Sequence, residues 1–512
     1  MEFDLTALDP VTLARWQFGI TTVYHFLMVP LTIGLGLTVA IMQTLWHRTG
    51  NEAYLRMTKF WGKLFLINVI LGIATGLVQE FQFGLSWSEY SRFVGDVFGS
   101  LLAMEALLAF FLESTFLGLW IFGWGRLPKR LHLATIWAAA IGSIVSAYFI
   151  IAANSWMQHP VGIEFVEGRP VLNDIGAVLT NNTTLAAFPH AIFGSFAVAG
   201  AFLVGISWYH LYRHHRMRVN DDIDRSVWRK SLRAGAVVSL VAFAGLVYTG
   251  DVQAKLMFEQ QPMKMAAAEA LCETEQPADF SIFAFGDVQV EDCEDITSVT
   301  VPNLLSFLAE GDFESEVRGI NELEALYQEE YGETYPDEEW LGDRAGTDIE
   351  YVPNLPVTYW GFRTMIGFGA MSAALSLAAL WLTRGNRLPQ SRWMMRAAVG
   401  GIALPFIANA AGWIFTEMGR QPFVVVPNPD PDGVEGVYFF TVQAVSPHMT
   451  GGEMLTSLVS LILIYAALAV VEIILITKFV RAGTQGAMPD HDKSPPDDDQ
   501  TEEKDDVLSF AY

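Results

Sequence analysis

"GDVFGSLLAMEALLAFFLESTFLGLWIFGWGR" occupies residues 95–126. Between Asp96 and Arg126 its only ionisable side chains are Glu105 and Glu113. About 20 apolar residues are enough to cross a bilayer as a helix, and this run is longer than that. The whole chain agrees. Its 512 residues are 52% hydrophobic and 17% charged, with 35 Phe and 15 Trp, against about 25% charge in a typical soluble domain. The stretch reads as a transmembrane helix and the chain as an all-α integral membrane protein.

Nine such segments are expected, beginning near Gln17, Met57, Gly95, Lys129, Leu185, Lys230, Val357, Met394 and Thr450. The acidic start "MEFDLTALDP" has no basic stretch before the first apolar run, so the first span is expected to stay in the mature chain. Odd-numbered connections are rich in bases: Arg48, Arg56, Lys59 and Lys63; Arg126, Lys129 and Arg130; Arg213, Arg216, Arg218, Arg225, Arg229 and Lys230; Arg384, Arg387, Arg392 and Arg396. Even-numbered ones are poor in them. The positive-inside rule then sets the N-terminus outside and the C-terminus in the cytoplasm. Four parts follow: helices one to six (1–250), a large external loop (251–356), helices seven to nine (357–481) and an acidic cytoplasmic tail (482–512), expected to be disordered.

The net charge of -25 is concentrated in two places. Residues 251–350 hold 26 acids and 4 bases, and residues 482–512 hold 9 acids and 2 bases. Both read as solvated charged surface. The two cysteines, Cys272 and Cys293, fall in the loop. An external location permits a disulfide, which would contribute roughly 3 kcal/mol by closing the loop; two free thiols are the alternative.

Ionisable groups inside a bilayer are costly and point to function. Glu105 and Glu113, eight residues apart, lie on one drifting helical stripe, at depths of about 15 and about 27 Å. They suit a proton relay with Ser114 beside them; helix-packing hydrogen bonds are the structural alternative. Of ten histidines, His25 and His190 sit clearly within spans. His25 lies roughly 12 Å from the outer end of its helix. His190, Met365 and Glu417 fall near the same face. In "GWIFTEMGRQPF", residues 412–423, Glu417 and Arg420 arrive together at the end of an uncharged run. Four donors for iron therefore gather toward one membrane face, although Met alone carries little weight among 18.

The stretches "RWQFGITTVYHFLMVPLT", "MTKFWGKLFLIN", "GLVQEFQFG", "GDVFG" through "FFLEST", "QPMKMAAAEA" and "GWIFTEMGRQP" resemble subunit I of cytochrome bd quinol oxidases. The resemblance runs from Arg15 to about Pro422 and weakens between about Thr297 and Glu350. It implies a terminal oxidase that takes electrons from quinol at the outer face and reduces O2 to water with cytoplasmic protons, generating proton motive force without a pump. It also implies two haem b groups, one low-spin and one high-spin, and one haem d. His190 and Met365 would be the axial pair of the low-spin haem, while His25 and Glu417 would serve the high-spin haems near the outer face. Arg15, Arg363 and Arg420 resemble charge partners for haem propionates, and Trp413 a position between haems. Lys264 and Glu269 match the quinol-binding pair of the family's external loop.

The implied partners are a second multi-span subunit (subunit II), small single-span accessory subunits and membrane lipid, with no nucleic acid. The family motif usually ends in Trp where this chain has Phe423, which loses an indole donor. A relative using only b-type haems is the alternative within the same chemistry. A secondary transporter would show internal repeats and broken helices, which the sequence lacks. A structural subunit with vestigial haem sites would not retain all four ligand candidates.

Overall fold

The computed structural model describes residues 9–218, 221–285, 297–337, 339–429, 434 and 436–484. Nine of its helices are long and apolar enough to cross a membrane, the number expected. They are α1 (Pro10–Thr49), α2 (Glu52–Leu85), α3 (Ser88–Phe122), α4 (Lys129–Gln158), α5 (Asn182–Met217), α6 (Asp222–Gln260), α8 (Leu355–Leu382), α9 (Arg392–Met418) and α10 (Gly451–Ala482). A short helix, α7 (Pro262–Glu269), opens the long connection after α6.

Local sequence sets the ends. Asp9 caps α1 by accepting from the amides of Val11 and Thr12, with Pro10 in the first turn, and Gly50 closes it at φ 64°, where only a residue without Cβ sits without strain. Thr450 and Glu453 form a reciprocal capping box at the start of α10. The sixth span, expected to end at residue 250, continues to Gln260, because the Asp251–Lys255 pair, 2.8 Å apart, fits one helical turn. The eighth tightens at Gly401 and Ile402, where Gly401 donates to the Ala397 carbonyl at 2.7 Å and Ile402 to that of Val399 at 3.2 Å; both stay in the right-handed helical region, so α9 keeps its direction.

Lipid gives helices no hydrophobic reason to associate, so packing and interhelical hydrogen bonds hold the bundle. α1 and α5 form its centre and α10 lies at its edge. Trp61, Trp208 and Trp228 fill the core at the basic end; Trp87, Tyr90 and Trp156 fill that at the loop end. Asn68 of α2 donates to the Met28 carbonyl and the Thr32 hydroxyl of α1, both at 2.8 Å. Trp61 of α2 donates to Ser231 of α6 at 2.9 Å.

Three small antiparallel hairpins decorate the loop end: Ile163–Val166 with Arg169–Leu172, Phe280–Phe285 with Thr297–Val301, and Phe423–Val425 with Phe439–Phe440. Phe423 stacks on Phe440 with ring centroids 4.9 Å apart, edge-on to Tyr331 and Tyr438. An apolar ring therefore suffices where the family usually has Trp. Cys272 lies in the described part of the loop, whereas Cys293 and the tail from residue 485 lie outside the described residues.

Replacing Asn68 with Leu removes two α1–α2 hydrogen bonds. The expected cost is about 1 kcal/mol, read as a fall of about 2 °C in the unfolding midpoint of the purified protein, whereas Asn68→Gln, which keeps the amide donor, should fall in between.

Candidate functional site

One face of α9 organises the site. A helical period of 3.6 puts residues 409, 412, 413, 416, 417 and 420 on one side, and each of four neighbouring helices meets that side. Asn409 donates to the Gly194 carbonyl of α5 at 3.3 Å, one turn beyond His190. A Cβ on Gly412 would lie 2.7 Å from the Met365 sulfur, so a methyl there would push that thioether of α8 aside. Trp413 packs edge-on against Phe26 of α1 at 5.1 Å, beside His25. Glu417 accepts from Asn154 of α4 at 2.9 Å. The four expected iron ligands are thus gathered around one α9 segment.

Both histidines are fixed in the same way. His25 Nδ1 faces the Thr75 hydroxyl of α2 at 2.9 Å. That hydroxyl already donates to the carbonyls of Leu71 and Gly72, both at 3.0 Å. With its one proton on either carbonyl, the hydroxyl accepts from Nδ1–H, and that tautomer leaves Nε2 as a bare lone pair. His190 repeats this on α5: Nδ1 faces Thr249 of α6 at 2.9 Å, and Thr249 donates to Gly245 at 2.8 Å. A glycine follows each threonine; a Cβ at Gly76 would sit 3.0 Å from the His25 ring. Orienting partners of this kind raise ligand basicity and fix the tautomer. Sequence reasoning missed both threonines, although the Thr-Gly pairs at 75–76 and 249–250 are visible in spans two and six.

Glu417 is part of a longer chain. Its second oxygen pairs with Arg420. Asn154, which donates to Glu417, accepts from Gln158 at 2.8 Å. Gln158 in turn accepts from Lys264 of α7 at 3.1 Å and from Gln261 at 3.2 Å. A continuous line of hydrogen bonds therefore joins Glu417 to the loop. Arg420 is buried, and its Nε and Nη1 have no hydrogen-bond partner. Unpaired guanidinium donors in a buried site call for an anion.

Lys264 and Glu269 are both buried on α7 but face different partners. Burial, reinforced by Arg420 and opposed by Glu417, brings the Lys264 ammonium down to about 7. Burial also pushes the Glu269 carboxyl up to about 7 against the pull of Arg363. Arg363 pairs with Glu269 at 2.8 Å, donates to the carbonyls of Ala268 and Ser281, and stacks 3.6 Å over the Tyr359 ring. Its contacts tie it to the loop. Arg15 is exposed on the first turns of α1, near Asp9, Arg344 and Tyr335.

Glu105 and Glu113 meet α4. Ser146 donates to Glu105 at 2.5 Å and Ser143 to Glu113 at 2.8 Å. In a straight α-helix eight residues leave side chains about 80° apart; the π-helical turn Glu105–Phe110 absorbs one residue and brings them within about 20°. The carboxylates, expected at separate depths, converge on serines one turn apart. Ser114 donates instead to the Phe111 carbonyl at 3.5 Å. Sequence reasoning missed Ser143, Ser146, Asn154 and Gln158, all polar positions on span four.

Among the described residues no group of three or more His, Cys, Asp or Glu side chains could hold a bare metal ion. A porphyrin supplies four nitrogens, so its iron needs only one or two protein donors. Two bare imidazoles, a thioether, a carboxylate and an unpaired buried guanidinium fit that requirement.

The profile of the family described as cytochrome bd terminal oxidase subunit I matches residues 13–484. The chain is 42% identical over 479 residues to cytochrome bd ubiquinol oxidase subunit 1 of Bacillus subtilis, covering 93% of this chain and 95% of the relative. It is 35% identical to cytochrome bd-II ubiquinol oxidase subunit 1 of Escherichia coli, covering 93% and 97%. The solved bd oxidase from Geobacillus thermodenitrificans superposes with a TM-score of 0.77 at 26% identity, over 93% of this chain and 99% of that one.

If His190 holds a haem and Thr249 orients it, Thr249→Val lowers haem affinity there by about 10–100-fold, measured as haem per polypeptide after detergent washing. Thr249→Ser should restore it.

Proposed function

The chain belongs to the cytochrome bd terminal oxidase subunit I family, whose members are quinol:O2 oxidoreductases, and on that premise we propose a division of labour among its residues. Haem is the family's cofactor and quinol its substrate. His190 and Met365 hold a low-spin haem b; His25 and Glu417 hold a high-spin haem b and a haem d. When bound, these haems supply electron transfer and oxygen reduction. The observation that carries this reading is the matched pair of imidazoles, each with Nδ1 held by a threonine and Nε2 left bare.

Quinol is oxidised beside the loop at the outer face, with the N-terminus outside and the C-terminus in the cytoplasm. Glu269 accepts a proton from quinol and releases it outside; Lys264 holds a quinol oxygen. The line Lys264–Gln158–Asn154–Glu417 positions the substrate loop against the site. Arg420 neutralises an anionic haem propionate through its unpaired donors. Arg15, Arg363 and Trp413 act as further charge and packing partners. Protons for water formation come from the cytoplasm through Glu113 and Glu105, passed by Ser143 and Ser146, with Ser114 beside them. Vectorial proton release and uptake then generate proton motive force without a pump. A Cys272–Cys293 bridge stiffens the loop. Subunit II, small accessory subunits and lipid complete the complex. A relative with b-type haems alone is the second reading within this chemistry.

A reduced-minus-oxidised visible spectrum of the purified complex, with quinol-driven O2 uptake, tests the reading. A far-red band identifies haem d; its absence with intact uptake favours b-type haems, and a colourless, correctly assembled complex overturns the proposal. Glu105→Gln and Glu113→Gln are each expected to slow O2 uptake about 100-fold while leaving haem content unchanged; normal turnover in both removes the relay.

The loop pair predicts a pH profile. Glu269 becomes the base as pH rises through about 7, and Lys264 loses its charge over the same range. Quinol kcat/KM should therefore be bell-shaped around pH 7. Glu269→Gln should remove the acidic limb and Lys264→Met the alkaline one.

A further inference from the structure

Among the described residues four acidic side chains are buried: Glu105, Glu113, Glu269 and Glu472. The first three have roles above; Glu472 has none. It lies on α10, which otherwise turns Leu463, Ile464, Val470, Val471, Ile473 and Ile474 outward. The buried positions of α10 form one stripe, Met454, Leu458, Tyr465 and Glu472, at helical spacing. That stripe faces α1 and α2. An apolar residue would serve packing there, whereas a carboxylate inside a membrane is costly unless something uses it.

Polar groups lie along the same stripe. The Glu472 carboxylate is within electrostatic reach of the Tyr24 hydroxyl on α1. That hydroxyl is buried and has no hydrogen-bond partner. The Tyr24 ring packs edge-on against Tyr465 at 4.9 Å, and Tyr465 donates to the Thr75 carbonyl of α2 at 3.2 Å. Thr75 holds His25. Toward the basic end, Phe479 continues the stripe two turns on, with the Lys63 ammonium of α2 3.6 Å over its ring. Lys478 is exposed beside it. Polar groups thus mark a seam between α1, α2 and α10 from the basic end to the His25 pocket. Glu105 and Glu113 lie elsewhere, against α4.

We propose that Glu472 is the proton-carrying group of a second route, which leads from the basic end of the bundle along the α1–α2–α10 seam to the His25 side of the site. Glu472 takes up a proton from water at the basic end. It then releases that proton inward along the seam and returns to its carboxylate. Two routes would let two proton-consuming steps be supplied independently. The inference rests on the oxygen-reducing function proposed above.

Infrared difference spectroscopy of the whole complex, reduced minus oxidised, tests it without relying on turnover. The wild type is expected to show a carboxylic acid C=O band that shifts in D2O. Glu472→Gln should remove one component of it, and Glu472→Asp should keep that component at a displaced frequency. Visible spectra and haem content recorded on the same samples report separately on the haem reading and on folding. A carboxylic region identical in wild type and Glu472→Gln, with the visible difference spectrum intact, overturns the proposal. In proteoliposomes, proton uptake after a single turnover should be at least about tenfold slower in Glu113→Gln/Glu472→Gln than in Glu113→Gln alone; equal rates also overturn it.

Discussion

The site depends on one face of α9 from Asn409 to Glu417, continued by Arg420 in the turn that follows. Through it α5, α8, α1 and α4 are held in fixed relation, by Asn409, Gly412, Trp413 and Glu417 in turn. A rotation of α9 by one residue, about 100°, would break all four contacts together. The absence of a Cβ at Gly412 is as much a part of this geometry as the side chains, because the Met365 sulfur occupies the space a methyl would need.

The bilayer sharpens the polar arithmetic. An imidazole in hydrocarbon needs a partner for its N–H, and a hydroxyl whose proton is already given to its own helix can only accept. Thr75 and Thr249 exploit that restriction identically on two different helix pairs. Each leaves Nε2 with a lone pair, the chemistry that the proposed iron ligation needs.

The carboxylates obey the same rule with different means. Glu105 and Glu113 are brought to one helix face by a π-helical turn and are each met by a serine of α4. Glu417 is held between Arg420 and Asn154, and Asn154 continues through Gln158 to Lys264. The loop is thereby wired to the membrane site by side chains rather than merely lying over it. Glu269, by contrast, is bound to Arg363 and the Ser281 amide, so the two loop residues that the sequence puts five apart look into different surroundings.

The sequence by itself determined the membrane class, the nine spans, and the basic and acidic ends, and it offered four candidate donors for iron. These follow from composition, length and residue chemistry, which need no partner to be read. Helix ends were less legible: α6 runs ten residues past its expected limit, because an i,i+4 ion pair extends a helix beyond its apolar part. Only the tertiary structure decided which neighbours make those donors usable. Thr75 is 50 residues from His25, Asn154 is 263 from Glu417, and Tyr465 is 390 from Thr75. Threonine, asparagine and serine in a span look like ordinary helix-satisfied polar groups until another helix is packed against them. Their roles reside in pairings across helices, and no local pattern encodes those.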